Sequence, residues 1–191
     1  MLNQDVKIEP ETNEVLQRSN WLMKGYYKDP ELTAKIIKDG YLCTGDTGEI
    51  IDGNYLKITG RIKDIFKTNK GEYISPLETE EYFKSFKEID QVCMMGSQYP
   101  QPFLVVVLSG YGKKHGKEKI KTHLEKALIY CNQNKVGYNI IKKVIIAKEE
   151  WTIENNLLTP TLKMKRNAIT QRYEASLEKI YFTEESVSWE Q

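Results

Sequence analysis

An α+β fold is predicted for residues 61–182, preceded by a β-rich segment over 1–60 and followed by a short tail over 183–191. Two long stretches carry helical periodicity. Ile120, Leu124, Ala127, Leu128 and Cys131 recur at helical spacing, and Ile169, Tyr173, Leu177, Ile180 and Tyr181 share one helical face. Three apolar runs of strand length, 91–95, 103–108 and 144–146, lie among them. Before Gly60 the apolar residues come in short runs cut by turn-forming pairs, the pattern of strands and hairpins.

The elements follow in order. Val6 and Ile8 alternate weakly before Pro10, a turn or edge signal. Residues 14–23 read as a second strand. Asp29-Pro30 breaks any strand there, and 31–38 form a short helix ended by Gly40. Residues 49–60 read as a hairpin about Asp52-Gly53, with Ile50 and Ile51 before the turn and Tyr55, Leu56 and Ile58 after it. Gly60 is the expected domain boundary, because glycine leaves the backbone free to swivel. Residues 61–68 then read as a strand and Asn69-Lys70-Gly71 as a turn. Ser75 is the expected N-cap of a helix running to about Lys87, with Pro76 at its first position and Glu78 at its third. Gly96, Pro100 and Pro102 make a loop between the first two apolar strands. About three strands and three helices result for 61–182, and 184–191 is expected to fray.

Composition bounds the function. A length of 191 residues fits one domain, or one domain with a sizeable appendage. The net charge of +1 gives no global pull toward nucleic acid or membrane. Residues 1–60 hold 7 Lys/Arg against 10 Asp/Glu, and 61–191 hold 21 against 17; the second part is mildly basic and suits anionic ligands. Cys43, Cys93 and Cys131 are odd in number and widely spaced, so neither a disulfide framework nor a Cys-x-x-Cys metal site is indicated, and a cytoplasmic location is expected. No run approaches the roughly 20 apolar residues that span a bilayer, and the polar, acidic start is unlike a signal peptide. His115 and His123 lack partners at metal spacing and are expected at the surface.

Four short motifs could carry chemistry. Thr44-Gly45-Asp46 could offer two carboxylate oxygens to a vicinal diol, and is equally satisfied by a turn whose Asp caps the backbone. In Gly60-Arg61-Ile62-Lys63-Asp64, Arg61 could make forked bonds to ribose or phosphate oxygens, or join Asp64 in a surface pair worth about 0–1 kcal/mol. Lys70-Gly71-Glu72-Tyr73-Ile74-Ser75 allows a close backbone approach at Gly71, and would also serve as a plain hairpin turn. In Thr159-Pro160-Thr161-Leu162-Lys163-Met164-Lys165-Arg166 an extended, turn-like segment could send one ammonium into a cleft. The same run also suits a solvated basic stretch before a helix.

Taken in order with the GYYKDPELT stretch upstream, these motifs resemble the C-terminal signature of the acyl-adenylate-forming (AMP-binding) enzymes. The branch they resemble is that of the long-chain fatty acyl-CoA synthetases. The resemblance covers nearly all of residues 20–182. It implies that 1–60 are the β-rich end of a large N-terminal adenylation domain and 61–182 the small mobile C-terminal domain. It assigns Asp46 and Arg61 to the nucleotide, Lys63 to the hinge, and Gly71, Glu72 and Tyr73 to the coenzyme A channel. Lys163 becomes the catalytic lysine, while Lys165 and Arg166 become surface or phosphate contacts. Leu162 stands where much of the family has glycine, as in the long-chain branch.

The parent enzyme would use ATP with Mg²⁺ to turn a fatty acid into an acyl-adenylate, then pass the acyl group to coenzyme A. No metal site of the chain's own is implied. The resemblance also allows a peripheral membrane association of the parent. The family's Ser/Thr/Gly-rich phosphate loop and its acyl pocket belong to the large domain and are not in this sequence, so the chain alone is expected to be inactive, with that large domain as its partner. Transfer to acyl carrier protein, activation of another acid, and a non-catalytic nucleotide- or partner-binding module are the alternative readings.

Overall fold

The computed structural model describes residues 4–190 and has a mixed α+β architecture. The chain divides into two compact units, 1–65 and 66–191.

The first unit is one five-stranded antiparallel sheet with a short helix. It holds β1 (Gln4–Ile8), β2 (Glu14–Ser19), α1 (Pro30–Ile36), β3 (Ile37–Lys38), β4 (Tyr41–Ile51) and β5 (Tyr55–Arg61). The order is β1-β2-β4-β3, with β5 paired to the far half of β4. Asp29 caps α1, its Oδ1 accepting from the Leu32 amide at 2.9 Å, and Pro30 opens the helix as expected. The helix is shorter than 31–38, however. Asp39 and Gly40 both take positive φ, 50° and 76°, and turn the chain back so that Ile37 pairs with Leu42. Asp-Gly here makes a hairpin, not a helix stop. Asp52 and Gly53 do the same at 51° and 71°, at the turn the sequence marks.

This sheet buries little. Val15 and Leu16 are inside, while Ile50, Ile51, Leu56 and Ile58 stand exposed and Tyr55 is 70% exposed. Gly60, the expected boundary, is buried in β5, opposite Thr47. The expected strand over 61–68 is broken by a 3-10 turn over Ile62–Asp64, and the units divide after Ile65.

The second unit carries the main core. It holds β6 (Phe66–Lys67), β7 (Tyr73–Ile74), α2 (Leu77–Lys84), β8 (Ile89–Met95), β9 (Phe103–Leu108), α3 (Lys117–Asn132), β10 (Val144–Ile146), α4 (Arg166–Tyr181) and β11 (Val187–Trp189). The main sheet runs β11-β10-β9-β8. β8 and β9 are antiparallel, and β10 is parallel to both β9 and β11. A parallel step needs a crossover, and α3 and α4 supply the two. Alternate residues serve opposite faces. Val92, Met94, Leu104, Val106, Val144 and Ile146 pack with Phe83, Ile120 and Leu124. Cys93, Met95, Phe103, Val105 and Ile145 pack with Trp151, Ile169, Tyr173 and Leu177. Burial on both faces explains why the strands read as unbroken apolar runs. The five residues predicted for the face of the last helix are all buried.

The tail departs from expectation. Val187, Ser188 and Trp189 form a fourth strand of the main sheet, paired with Val144, Ile145 and Ile146. Val187 is fully buried. A three-residue strand after a charged stretch carries almost no periodic signal, and the neighbour that holds it lies about 43 residues back in the chain.

One buried cation belongs to the fold. Lys143 is 1% exposed, and its ammonium donates to the Ile180 carbonyl at 2.6 Å, to the Thr183 carbonyl at 3.2 Å and to Thr183 Oγ1. It caps the C-terminal end of α4. Burial, helped by the neighbouring Lys142 charge, pushes its pKa down.

The contrast between the units has a measurable consequence. In hydrogen exchange on the intact chain, β9 amides are expected to be slowest. β5 amides, with few buried contacts, should exchange at least about tenfold faster. Equal protection in both would contradict this account of where the core lies.

Candidate active-site elements

In the first unit, the Thr44-Gly45-Asp46 motif lies inside β4 as a bulge. Between the pairs Glu14–Thr47 and Leu16–Cys43, β2 advances two residues and β4 four. Gly45 takes φ +74°, and a Cβ there would meet nothing within 4 Å, so conformation and not space calls for glycine. Glu14 Oε1 accepts from the Gly45 amide at 2.8 Å, and Thr44 Oγ1 donates to the Val15 carbonyl at 2.7 Å. The bulge aims Asp46 at Arg61, its direct partner on β5. Arg61 Nε donates to Asp46 Oδ1 at 2.9 Å. The Asp46 carboxylate thus bonds a guanidinium and, among the described residues, caps no turn backbone. Both side chains reach solvent, so the pair is worth about 0–1 kcal/mol to stability. Its interest is chemical. Acceptor oxygens and forked donors side by side match a ribose and its phosphate. Lys63 is the exposed middle residue of the 3-10 turn, two residues before the unit ends.

In the second unit, residues 68–72 close a small hairpin between β6 and β7. The Thr68 amide donates to the Glu72 carbonyl at 2.9 Å and the Gly71 amide to the Thr68 carbonyl at 3.0 Å. Gly71 sits at φ +87° with room for a Cβ. Tyr73 is 70% exposed, and its ring lies 5.2 Å from the Lys67 ammonium.

Lys163 rides on a second hairpin, just before α4. Leu158 and Met164 form its base bridge. The Thr159 amide donates to the Lys163 carbonyl at 2.8 Å, the Leu162 amide to the Thr159 carbonyl at 2.8 Å, and the Lys163 amide to Thr159 Oγ1 at 3.0 Å. Leu162 occupies the left-handed region at φ +59° with its side chain 70% exposed. A glycine would sit there without strain, whereas the leucine costs roughly 1–2 kcal/mol.

Three cations follow in close order, and their surroundings separate them. The Lys165 ammonium donates to Asn156 Oδ1. Arg166 is held by Glu80 through two bonds of 2.8 Å each, and is neither a surface residue nor set out for phosphate. Among the described residues, no ion pair or hydrogen bond engages the Lys163 ammonium. Lys163 lies on the wall of a cleft of about 760 Å³, lined also by Lys84, Asp90, Val92, Trp151 and Leu158. Gln91 fixes that wall: its Nε2 donates to the Trp151 carbonyl at 2.9 Å and its Oε1 accepts from the Trp151 amide at 3.0 Å. Glu80, Gln91 and Trp151 are missed in the sequence. Glu80 leaves a faint trace, a charge three residues before Phe83 on the buried face of α2.

Residues 63–185 match the family profile described as the AMP-binding enzyme C-terminal domain. The chain belongs to this family. As an AMP-binding enzyme segment it is 33% identical over 187 residues to long-chain-fatty-acid–CoA ligase 5 of Mus musculus, covering 88% of this chain and 27% of the relative. It is 27% identical over 197 residues to the chloroplastic long-chain-fatty-acid–[acyl-carrier-protein] ligase AEE15 of Arabidopsis thaliana, covering 91% of this chain and 27% of that one. The fold is that of the A-PCP didomain of carboxylic acid reductase from Segniliparus rugosus, solved in complex with AMP. There the TM-score is 0.74 at 24% identity, over 94% of this chain and 27% of the other. The AMP-binding enzyme segment therefore spans about a quarter of the length of the relatives it matches.

Proposed function

We propose that this chain is the C-terminal part of an AMP-forming fatty acid–CoA ligase, and that its large domain completes the active site. In the first reaction a carboxylate oxygen attacks the α-phosphorus of ATP, pyrophosphate leaves, and an acyl-adenylate forms. In the second the coenzyme A sulfur attacks the acyl carbon and AMP leaves. Asp46 and Arg61 hold the ribose of the nucleotide. Lys163 neutralises negative charge shared by the attacking carboxylate and the α-phosphate as it develops. Rotation near Lys63 then exchanges the Lys163 hairpin for the hairpin of Gly71, Glu72 and Tyr73, which guides the thiol.

The observation that carries this reading is the singling out of Lys163, the one member of its cationic run whose ammonium is unengaged among the described residues, on a hairpin with fixed geometry. Mg²⁺ enters with ATP as part of the substrate and offsets triphosphate charge. Among the described residues, no three His, Cys, Asp or Glu side chains are placed to hold a metal. Among the described residues Cys43, Cys93 and Cys131 form no disulfide, which suits the cytoplasmic location we propose.

ATP–pyrophosphate exchange tests the proposal. The complete ligase carrying this chain should exchange in the presence of long-chain fatty acids and then form a thioester with coenzyme A. The 191-residue chain alone should stay at background. Exchange by the isolated chain would refute the need for a large domain, and silence of the complete protein toward fatty acids would refute the substrate. Offering acyl carrier protein in place of coenzyme A decides the acceptor.

A further inference from the structure

We propose that Glu80 and Arg166 are a positioning pair, which sets the Lys163 hairpin by standing in for a missing neighbour at the edge of the main sheet. This rests on the reading of Lys163 given above. β8 is an outer strand of that sheet, paired on one side only, with β9. At Met94 the main-chain groups that point away from β9 are both taken by side chains. Its amide donates to Glu80 Oε1 at 2.6 Å, and its carbonyl accepts from Arg166 Nη1 at 3.2 Å. The two side chains join each other through the forked pair of 2.8 Å bonds. At Met94 an acid–base couple thus takes the two main-chain groups that a fifth strand would pair.

The couple ties three elements to one point. Glu80 comes from α2, Met94 from β8, and Arg166 is the first residue of α4. Glu80 and Arg166 side chains are only 11% and 18% exposed, so water competes weakly for them. The Lys163 hairpin ends directly at this anchor. The Lys165 amide donates to the Leu157 carbonyl at 2.9 Å, and Arg166 follows at once. Among the described residues, the N-cap residue of α4, Lys165, makes no side-chain cap. Beyond the backbone bonds at the hairpin base, its direction is held by a planar guanidinium, which meets a carboxylate in one orientation. A lysine keeps the charge and loses that orientation.

Arg166→Lys is the test, in two readouts. On the intact 191-residue chain, amide exchange at Leu162, Lys163 and Lys165 should speed up about tenfold while Val105 and Val106 keep their rates. In the complete ligase, acyl-adenylate formation should fall about 10²-fold, the cost of a reacting group displaced by about 1 Å, with thioester formation from supplied acyl-adenylate unchanged. Glu80→Gln should repeat the pattern. Unchanged hairpin exchange, or full adenylation with a loosened hairpin, overturns the proposal. So does equal loosening of Val105 and Val106, which would make the couple a general prop of the fold. Lys163→Ala runs beside it. If that variant adenylates normally, the reading of Lys163 fails. If it is slow and Arg166→Lys is not, the positioning role alone fails.

Discussion

Acyl-adenylate formation by the complete ligase is expected to slow about 10²–10³-fold when Lys163 becomes alanine, the usual loss for one well-placed electrostatic contact. Thioester formation from preformed acyl-adenylate should be largely intact, because the charge is used while the carboxylate and α-phosphate approach. Lys165→Ala should do far less, since Asn156 already holds that ammonium. Assaying the two half-reactions separately for each variant gives the answer. If Lys163→Ala slows both halves alike, the lysine serves general nucleotide binding and the assignment is wrong. If Lys165→Ala is the damaging change, the hairpin presents a different cation from the one assigned.

Lys143→Ala is expected to destabilise the second unit by on the order of 3 kcal/mol, through lost charged hydrogen bonds, stranded carbonyls and a cavity. This should lower the unfolding midpoint by about 10 °C. The ammonium sits where the carbonyls of α4 end and concentrate negative potential, so its loss also removes a favourable dipole contact. Lys143→Met keeps the bulk and removes the charge, and should recover part of the loss. The pair also fixes a pH signature. Burial lowers the folded pKa of Lys143 below its ordinary 10.5. As pH climbs through that lowered value, the folded state releases its proton while the unfolded state keeps one. The Lys143 contribution to stability therefore rises with pH until about 10.5. Tyr173 and Tyr181, whose pKa values burial raises, act in the opposite direction in both proteins and cancel in the comparison. The stability gap between the original and Lys143→Met should widen with pH; a gap that narrows would mean the folded ammonium is not penalised.

Local chemistry was legible, and distant pairing was not. The helical faces of α3 and α4 are written in residues three and four apart, and both helices form where that spacing lies. Asp52-Gly53 reads as a hairpin turn, yet the same dipeptide at Asp39-Gly40 reads as a helix end. The difference lies only in β3, two residues long and too short to show a period. The Asp46–Arg61 partnership depends on a bulge of one strand against another, so the motif residues were visible and their alignment was not. Glu80 and Arg166 lie 86 residues apart, and no local pattern makes a buried partner of either. The cationic run gave three candidates for one task, and only the surroundings of each ammonium distinguish them.

The last strand bears on how the protein can be handled. The family profile ends at residue 185, and β11 begins at Val187. A version trimmed to the matched stretch would keep every residue assigned to the chemistry from Lys63 on. It would also strip the cover from Val144, Ile145 and Ile146, leaving a bare β-branched run ready to zip against another molecule. Such a trimmed protein would be sticky for reasons unrelated to its active site, and poor yield from it would say nothing about the ligase.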